Sequence, residues 1–434
     1  MRRITSQLWG FVTEYPILLL GGAATALLWA NFFPESYKVL HDLVLIENFF
    51  IGHAHVDDAG HVTRTLTLHY LVNDVLMALF FAMAGKEVWE AVALDKGKLR
   101  GKAALTPLFA TVGGMVGPVV IYLGIALLFG STTFSAVQNG WAIPTATDIA
   151  FSYLVGRIVF GAGHPAVTFL TLLAIADDAG GLLIIAIFYN DDALSYLWLL
   201  LSFGSALAVY IVCNYLPCRL DKRHNNRRYS TWMQQTFGVW PYVIAGCLSW
   251  YGFQESGLHP ALGLLPIIPT IPHASQDYGF FAAAEANLHD LLNTMEHALR
   301  YPVEIILLLF GLMNAGVQLV AVGEATFLVL AGLMIGKPLG ILLFGYFAAR
   351  VFKWGLPKGM RTSDLFVLGC VASIGFTVAL FVASVAFDPG SVQDAARMGA
   401  LLSLGAAVTA IVVGKLFNIQ KIKKTQTFTE TSLA

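Results

Sequence analysis

Charge is scarce in this chain: only 12% of its 434 residues are Asp, Glu, Lys or Arg, against the roughly 25% usual in a soluble globular domain. Apolar residues make up 57%, and the mean hydropathy is +0.70. So little charge leaves no room for a large soluble domain and points to a membrane protein. A formal net charge of -1 offers no basic face for nucleic acid, so no nucleic-acid partner is implied. Cysteine is equally sparse. Cys213, Cys218, Cys247 and Cys370 all lie in or beside apolar segments, with neither a disulfide framework nor a metal-ligand spacing, and they read as reduced core residues. The N-terminal apolar run lacks a small-residue cleavage site, so it is expected to be retained as the first span.

What the chain does contain is a succession of apolar runs. They extend over Pro16 to Phe33, Leu71 to Gly85, Ala103 to Phe129, Trp141 to Val159, Val167 to Tyr189, Leu194 to Tyr215, Phe237 to Tyr251, Leu258 to Ile271, Pro302 to Val322, Ala325 to Val351, Leu365 to Phe387 and Ala396 to Phe417. Crossing the hydrocarbon takes roughly 20 apolar residues, so the reading is an all-α polytopic membrane protein of about 12 transmembrane helices. The seventh and eighth runs are the weakest of these. With an even number of spans, the basic groups Lys96 to Lys102, Arg219 to Arg228, Arg350 to Arg361 and Lys415 to Lys424 fall on one side, joined by Arg2, Arg3, Lys86, Arg157 and Arg300. Basic residues concentrate in cytoplasmic loops, which places both termini in the cytoplasm. Residues 1-434 read as one membrane domain with a cytoplasmic tail over 418-434.

One insertion, 43-70, has a different pattern, with mixed apolar and polar runs flanking the turn-like Asp57-Asp58-Ala59-Gly60 on the outer side. It reads as a small extracytoplasmic β-hairpin. Its unpaired edges suit pairing with the same hairpin of a second subunit, so a homodimer is expected.

The ionisable residues that call for explanation inside the runs are Asp74, Asp148, Asp177, Asp178 and Lys337. Each costs about 2.5 to 3.5 kcal/mol at a helix centre, so each needs a reason to be there. Asp177 and Asp178 are chain neighbours, which point about 100° apart on a helix and so cannot share one structural partner. Both cannot stay ionised in a dry site without a cation, so a proton and a small metal ion become competing occupants. Such competition makes an exchanger, provided that the site opens to one side at a time. Oxygen ligands suit Na+ or Li+, and the supply is two carboxylates, the Thr147 hydroxyl and freed backbone carbonyls. Lys337 supplies the opposite charge, as a buried counter-ion to one carboxylate.

Helix breaks are a second signal, because non-helical backbone at membrane depth is tolerated only where it lines a cavity or is buried in protein. The fourth run contains Pro144 followed by Thr145-Ala146-Thr147-Asp148, and the eleventh contains Gly369 and Ala372-Ser373-Ile374-Gly375-Phe376-Thr377. Paired interruptions are a mark of inverted-topology repeats. Asp148 then offsets the partly positive N-terminal end of an interrupted helix, and Lys337 does the same for facing C-terminal ends.

Along most of its length the chain resembles the NhaA family of bacterial sodium/proton antiporters. The matching segments include Asn73-Asp74, Gly85 with Glu87, WAIPTATDIAF around Thr147, AIADDAG around Asp177, Ser256-Gly257-Leu258-His259, Glu296-His297, Asn314-Ala315-Gly316-Val317, Ile335-Gly336-Lys337-Pro338 and Ile374-Gly375-Phe376-Thr377. The resemblance implies an inner-membrane protein with two interrupted, crossing helices. It implies electrogenic exchange of two protons for one Na+ or Li+ by alternating access, with no cofactor beyond the transported ions and no enzyme activity. In it Asp178 stands as principal sodium ligand, Asp177 as the lysine-paired carboxylate and Thr147 nearby. The pH-responsive region at the cytoplasmic funnel maps to Lys86, Glu87, Glu296, His297 and Arg300. Here the chain departs from the usual pattern. Lys86 takes the place of an apolar residue, Val88-Trp89-Glu90-Ala91 stands where a basic pair and then a second Glu are common, Arg300 stands where His is common, Glu304 adds an acid and Pro260 follows His259 in place of Ala, so a different switching pH is expected. Exchange of K+ for protons, a cation channel or sensor, and a membrane hydrolase built on the aspartates are the competing functions; the last is disfavoured because its two carboxylates normally come from separate segments.

Overall fold

The computed structural model describes residues 16–56, 62–93, 102–190, 194–224, 228–272 and 291–422. The turn-like Asp57 to Gly60, the basic stretch before Lys102 and the tail beyond Ile422 lie outside the described residues. The longer helices among the described residues are, in chain order, α1 (Ile17–Phe32), α2 (Leu68–Ala93), α3 (Ala104–Leu128), α4 (Ile149–Phe160), α5 (Pro165–Phe188), α6 (Tyr196–Asp221), α7 (Trp240–Ser256), α8 (Leu291–Asn314), α9 (Glu324–Val351), α10 (Thr362–Ala372), α11 (Phe376–Ala386) and α12 (Ser391–Leu416). Among the described residues, α2, α3, α5, α6, α9 and α12 are long and apolar enough to cross a membrane, and α10 with α11, bent by 54° at their junction, are so only when taken together.

The run Leu258 to Ile271 does not form an α-helix as its apolarity suggests. It folds into two 3-10 turns, Pro260–Leu262 and Leu265–Thr270. Pro260, Pro266 and Pro269 cannot donate backbone hydrogen bonds, and three such gaps in eleven residues prevent a regular ladder. The ninth apolar run differs in the opposite sense: α8 (Leu291–Asn314) includes residues ahead of the run's start at Pro302, because these turns are amphipathic rather than apolar.

The chain divides into two compact units, each drawn from separated stretches. The first comprises 1–100, 178–321 and 384–388, and the second 101–177, 322–383 and 389–434. In the first, strands β1 (Val44–Asn48), β2 (His53–Val56) and β3 (Val62–Thr67) form an antiparallel sheet in the order β1-β3-β2. Register pairs Asn48 with Arg64 and His53 with Thr65, and an irregularity between Val44 and Ile46 bends β1. Arg64 ties the sheet to the end of α7 through Glu255 at 2.7 Å. The sheet leads directly into α2, whose start is capped by Thr67 accepting from Tyr70 N at 3.1 Å. Deeper in the unit, Asn73 and Asn314 exchange side-chain hydrogen bonds at 3.1 and 2.7 Å, so that neither buried amide is left wanting.

In the second unit α3 and α9 pack backbone to backbone. A Cβ on Gly340 would lie 2.0 Å from the Gly113 carbonyl oxygen, and one on Gly117 would lie 2.3 Å from that of Gly336. Glycine is therefore required on both faces of this contact, the small-residue packing that apolar helices use when lipid gives no hydrophobic drive. The contact brackets Lys337 and holds it inside the protein.

Candidate functional site

The second unit brings two helix breaks together. A 3-10 segment, Gln138–Thr145, ends at Pro144-Thr145, and Ala146 turns extended before α4 begins after Asp148. In the other, α10 stops at Ala372 and α11 restarts at Phe376. Backbone groups freed at one break are answered at the other. Asp148 N donates to Ile374 O at 2.6 Å, Thr147 Oγ1 donates to Ala372 O at 3.2 Å and Ser152 Oγ donates to Val371 O at 3.1 Å. This is how irregular backbone persists in an apolar interior: each broken end supplies the partner that the other lacks.

Asp148 stands between two helix starts. Its Oδ1 accepts from Phe151 N at 3.1 Å in the first turn of α4, and its Oδ2 accepts from the Thr377 hydroxyl at 2.7 Å and the Thr377 amide at 3.3 Å in the first turn of α11. A carboxylate placed there meets the positive ends of two helix dipoles at once.

Lys337, fully buried on α9, reaches the C-terminal end of the first break and a carboxylate. Its Nζ donates to Thr145 O and to Asp177 Oδ2, the latter at 2.8 Å. Asp177 is 2% exposed on α5, and its second oxygen, Oδ1, is buried and accepts no hydrogen bond. The Thr147 side chain stands beside this carboxyl. Asp178 follows on the same helix and is half-buried, so the two neighbours differ in access as their angular separation requires. The donor set is hard oxygen, suited to an alkali cation, with a fixed ammonium competing for it.

The other sequence-selected residues lie in the first unit. Lys86 is 5% exposed on α2 and donates to Glu90 at 3.0 Å and, in a short contact, to Glu296 of α8. Glu87 is half-buried, while His297 and Arg300 are exposed. Asp74 is half-buried with its carboxylate 3.7 Å from His259 Nε2. Thr377, whose hydroxyl makes the shortest bond to the Asp148 carboxylate, is marked in the sequence only by its place just after the second break. The part of the Thr145 carbonyl is not marked, since a backbone acceptor leaves no signature of side-chain type.

Comparison with known proteins gives a consistent result. Residues 12–417 match the family described as Na+/H+ antiporter 1. The chain is 68% identical to the Na(+)/H(+) antiporter NhaA of Jannaschia sp. (strain CCS1), over 96% of this chain and 99% of that protein. It is 44% identical to the Na(+)/H(+) antiporter NhaA of Desulfitobacterium hafniense (strain DSM 10664 / DCB-2), over 96% and 97% respectively. Against the protein of the same description from Geobacter sulfurreducens the identity is 42%, over 94% of this chain and 97% of that one.

Proposed function

The chain belongs to the Na+/H+ antiporter 1 family, and on that premise we propose that it exports Na+ or Li+ in exchange for protons, two per cation, by alternating access. It is a membrane transporter rather than an enzyme. The observation that carries the proposal is the buried Lys337–Asp177 pair, in which one carboxylate oxygen holds the ammonium at 2.8 Å and the other has no hydrogen-bond partner. A carboxylate so placed has capacity for one further positive species, and a proton or an alkali cation supplies it.

Asp178, Asp177 and Thr147 are the proposed ligands. When a cation binds, the two carboxylates release their protons; when protons return, the cation leaves. Two protons in and one cation out move one net charge per cycle, so turnover responds to membrane potential. Asp148 and Lys337 keep the two breaks electrically balanced while the site changes sides. Lys86, Glu87, Glu296, His297 and Arg300 form the proposed pH-responsive cluster, and Asp74 remains a further intramembrane carboxylate with His259 as its neighbour.

The finer architecture belongs to the same proposal: about twelve spans with inverted-topology repeats, cytoplasmic termini, an inner-membrane location and an outer hairpin pairing a homodimer. The hairpin assignment draws support from β1, an edge strand whose Val44, Leu45 and Ile46 are exposed. Deleting Phe50 to Leu66 is expected to yield monomers in detergent, and a persistent dimer would remove that support.

The deciding experiment uses protein reconstituted in vesicles and follows proton release on Na+ addition. The unmodified chain is expected to exchange, and Asp178→Asn to abolish exchange. Normal exchange in that variant would sink the ligand assignment. Substituting K+ for Na+ in the same assay separates the K+-exchanging alternative.

A further inference from the structure

We propose that Ser403 is a positioning residue for the exchange site: its hydroxyl holds the non-helical backbone at Gly375, against which Asp148 and Thr147 are placed. The inference deepens the antiporter reading and rests on it. Ser403 is fully buried and opens the 3-10 turn Ser403–Gly405 within α12. Its Oγ donates to Ala400 O at 2.6 Å and accepts from Gly375 N at 3.3 Å. One hydroxyl proton and two lone pairs allow both bonds at once, and the bond back to Ala400 orients the hydroxyl so that a lone pair is left for Gly375.

The Gly375 amide lies in the break between α10 and α11, where no regular helix ladder reaches it. An N–H left unmet at membrane depth is strongly unfavourable, and Ser403 is the acceptor that meets this one. The residues on either side of Gly375 hold Asp148. Ile374 O accepts the Asp148 amide at 2.6 Å, and the Thr377 hydroxyl donates to the Asp148 carboxylate at 2.7 Å. A connected path therefore runs from α12 through Ser403 and Gly375 to the carboxylate that balances both breaks. Ser373 makes a useful contrast. Its hydroxyl donates to Gly369 O at 2.8 Å, a bond back to its own helix, as expected of a serine that only fills space.

Ser403→Ala removes the acceptor with a small loss of volume, and Ser403→Cys retains a weaker acceptor in a somewhat larger side chain. In vesicles, Ser403→Ala is expected to raise the half-saturating Na+ concentration about fivefold while changing the maximal rate less than about twofold, with Ser403→Cys between it and the unmodified chain. Amide exchange of the peptide spanning Ala372 to Thr377, read by mass spectrometry without Na+, should quicken in the same order. Half-saturation and amide exchange equal to those of the unmodified chain would overturn the proposal. A fall in maximal rate and melting temperature without a shift in half-saturation would overturn it too, because that is the mark of a purely structural serine. Absence of Na+-driven proton flux in the unmodified protein would instead overturn the antiporter reading, while the amide exchange still decides whether Ser403 holds the break.

Discussion

Two buried lysines on different helices show how the same side chain serves two ends. Lys86 on α2 has two carboxylate partners, Glu90 and Glu296, and Lys337 on α9 has one, Asp177, with a backbone carbonyl beside it. The Lys86 cluster has more carboxylate than ammonium, so removing one acid leaves the lysine another partner. At Lys337 the ion pair is made with Asp177 at 2.8 Å. Its pairing ends as soon as Asp177 takes a proton or a cation, and the spare oxygen of Asp177 provides the opening for that to happen. Redundant pairing makes a clasp, and single pairing makes an exchangeable contact.

Removing partners tests the difference most strongly at Lys337. Lys337→Ala strips Asp177 of its only ammonium in a site with almost no solvent contact, and breaking such a pair typically costs about 3 to 5 kcal/mol. A large drop in melting temperature and a shifted pH profile of exchange are expected; an unchanged melting temperature and profile would count against the pairing as described. At the other lysine, Glu90→Gln leaves Glu296 in place, so the loss is about 1 kcal/mol and exchange persists. If Glu90→Gln proved as damaging as Lys337→Ala, the contrast between clasp and exchangeable contact would fail.

A smaller effect is expected at the start of α5. Burial pushes the His164 imidazole below its ordinary value, with Asp364 at 4.0 Å opposing only in part. Its Nδ1 accepts from Ala166 N at 3.1 Å, a bond that needs the neutral ring. Because the unfolded chain takes the proton first, stability from this group is full above the unfolded value near ~6.5 and declines as pH falls below it. His164→Gln should flatten the melting-temperature curve in that range; an identical acid limb in the variant would show that the ring contributes nothing there.

How much of this was legible in the sequence follows from how local each feature is. Asp148, Asp177, Asp178 and Lys337 stood out because a charge within an apolar run is conspicuous, and both breaks stood out through Pro144 and the Ser373-Ile374-Gly375 stretch. The folded chain brings Asp177 to Lys337 and one break to the other, as the chemistry of those groups demands. Individual hydrogen bonds are less legible: nothing near Lys86 names Glu296 as its acceptor, and nothing near Asp148 names Thr377 as its donor. The outer insertion was read as two strands, yet a third, Val44–Asn48, pairs on the far side of β3, because a five-residue apolar strand beside a short helix leaves little periodicity to detect. The 3-10 turns after His259 are masked in the sequence by the apolarity of the run, and Pro260, Pro266 and Pro269 carry the signal for them.

The account depends most on one claim, that protons and Na+ compete for the same carboxylates, Asp177 and Asp178. Exchange should then fall at acidic pH because protons win, without any separate sensor. Measuring exchange against pH at several Na+ concentrations tests this directly. The account predicts activity that rises with pH from about neutral, with a midpoint that moves to lower pH as Na+ increases. A midpoint fixed at the same pH at every Na+ concentration would contradict competition and transfer control of the pH response to the cluster of Lys86, Glu87, Glu296, His297 and Arg300.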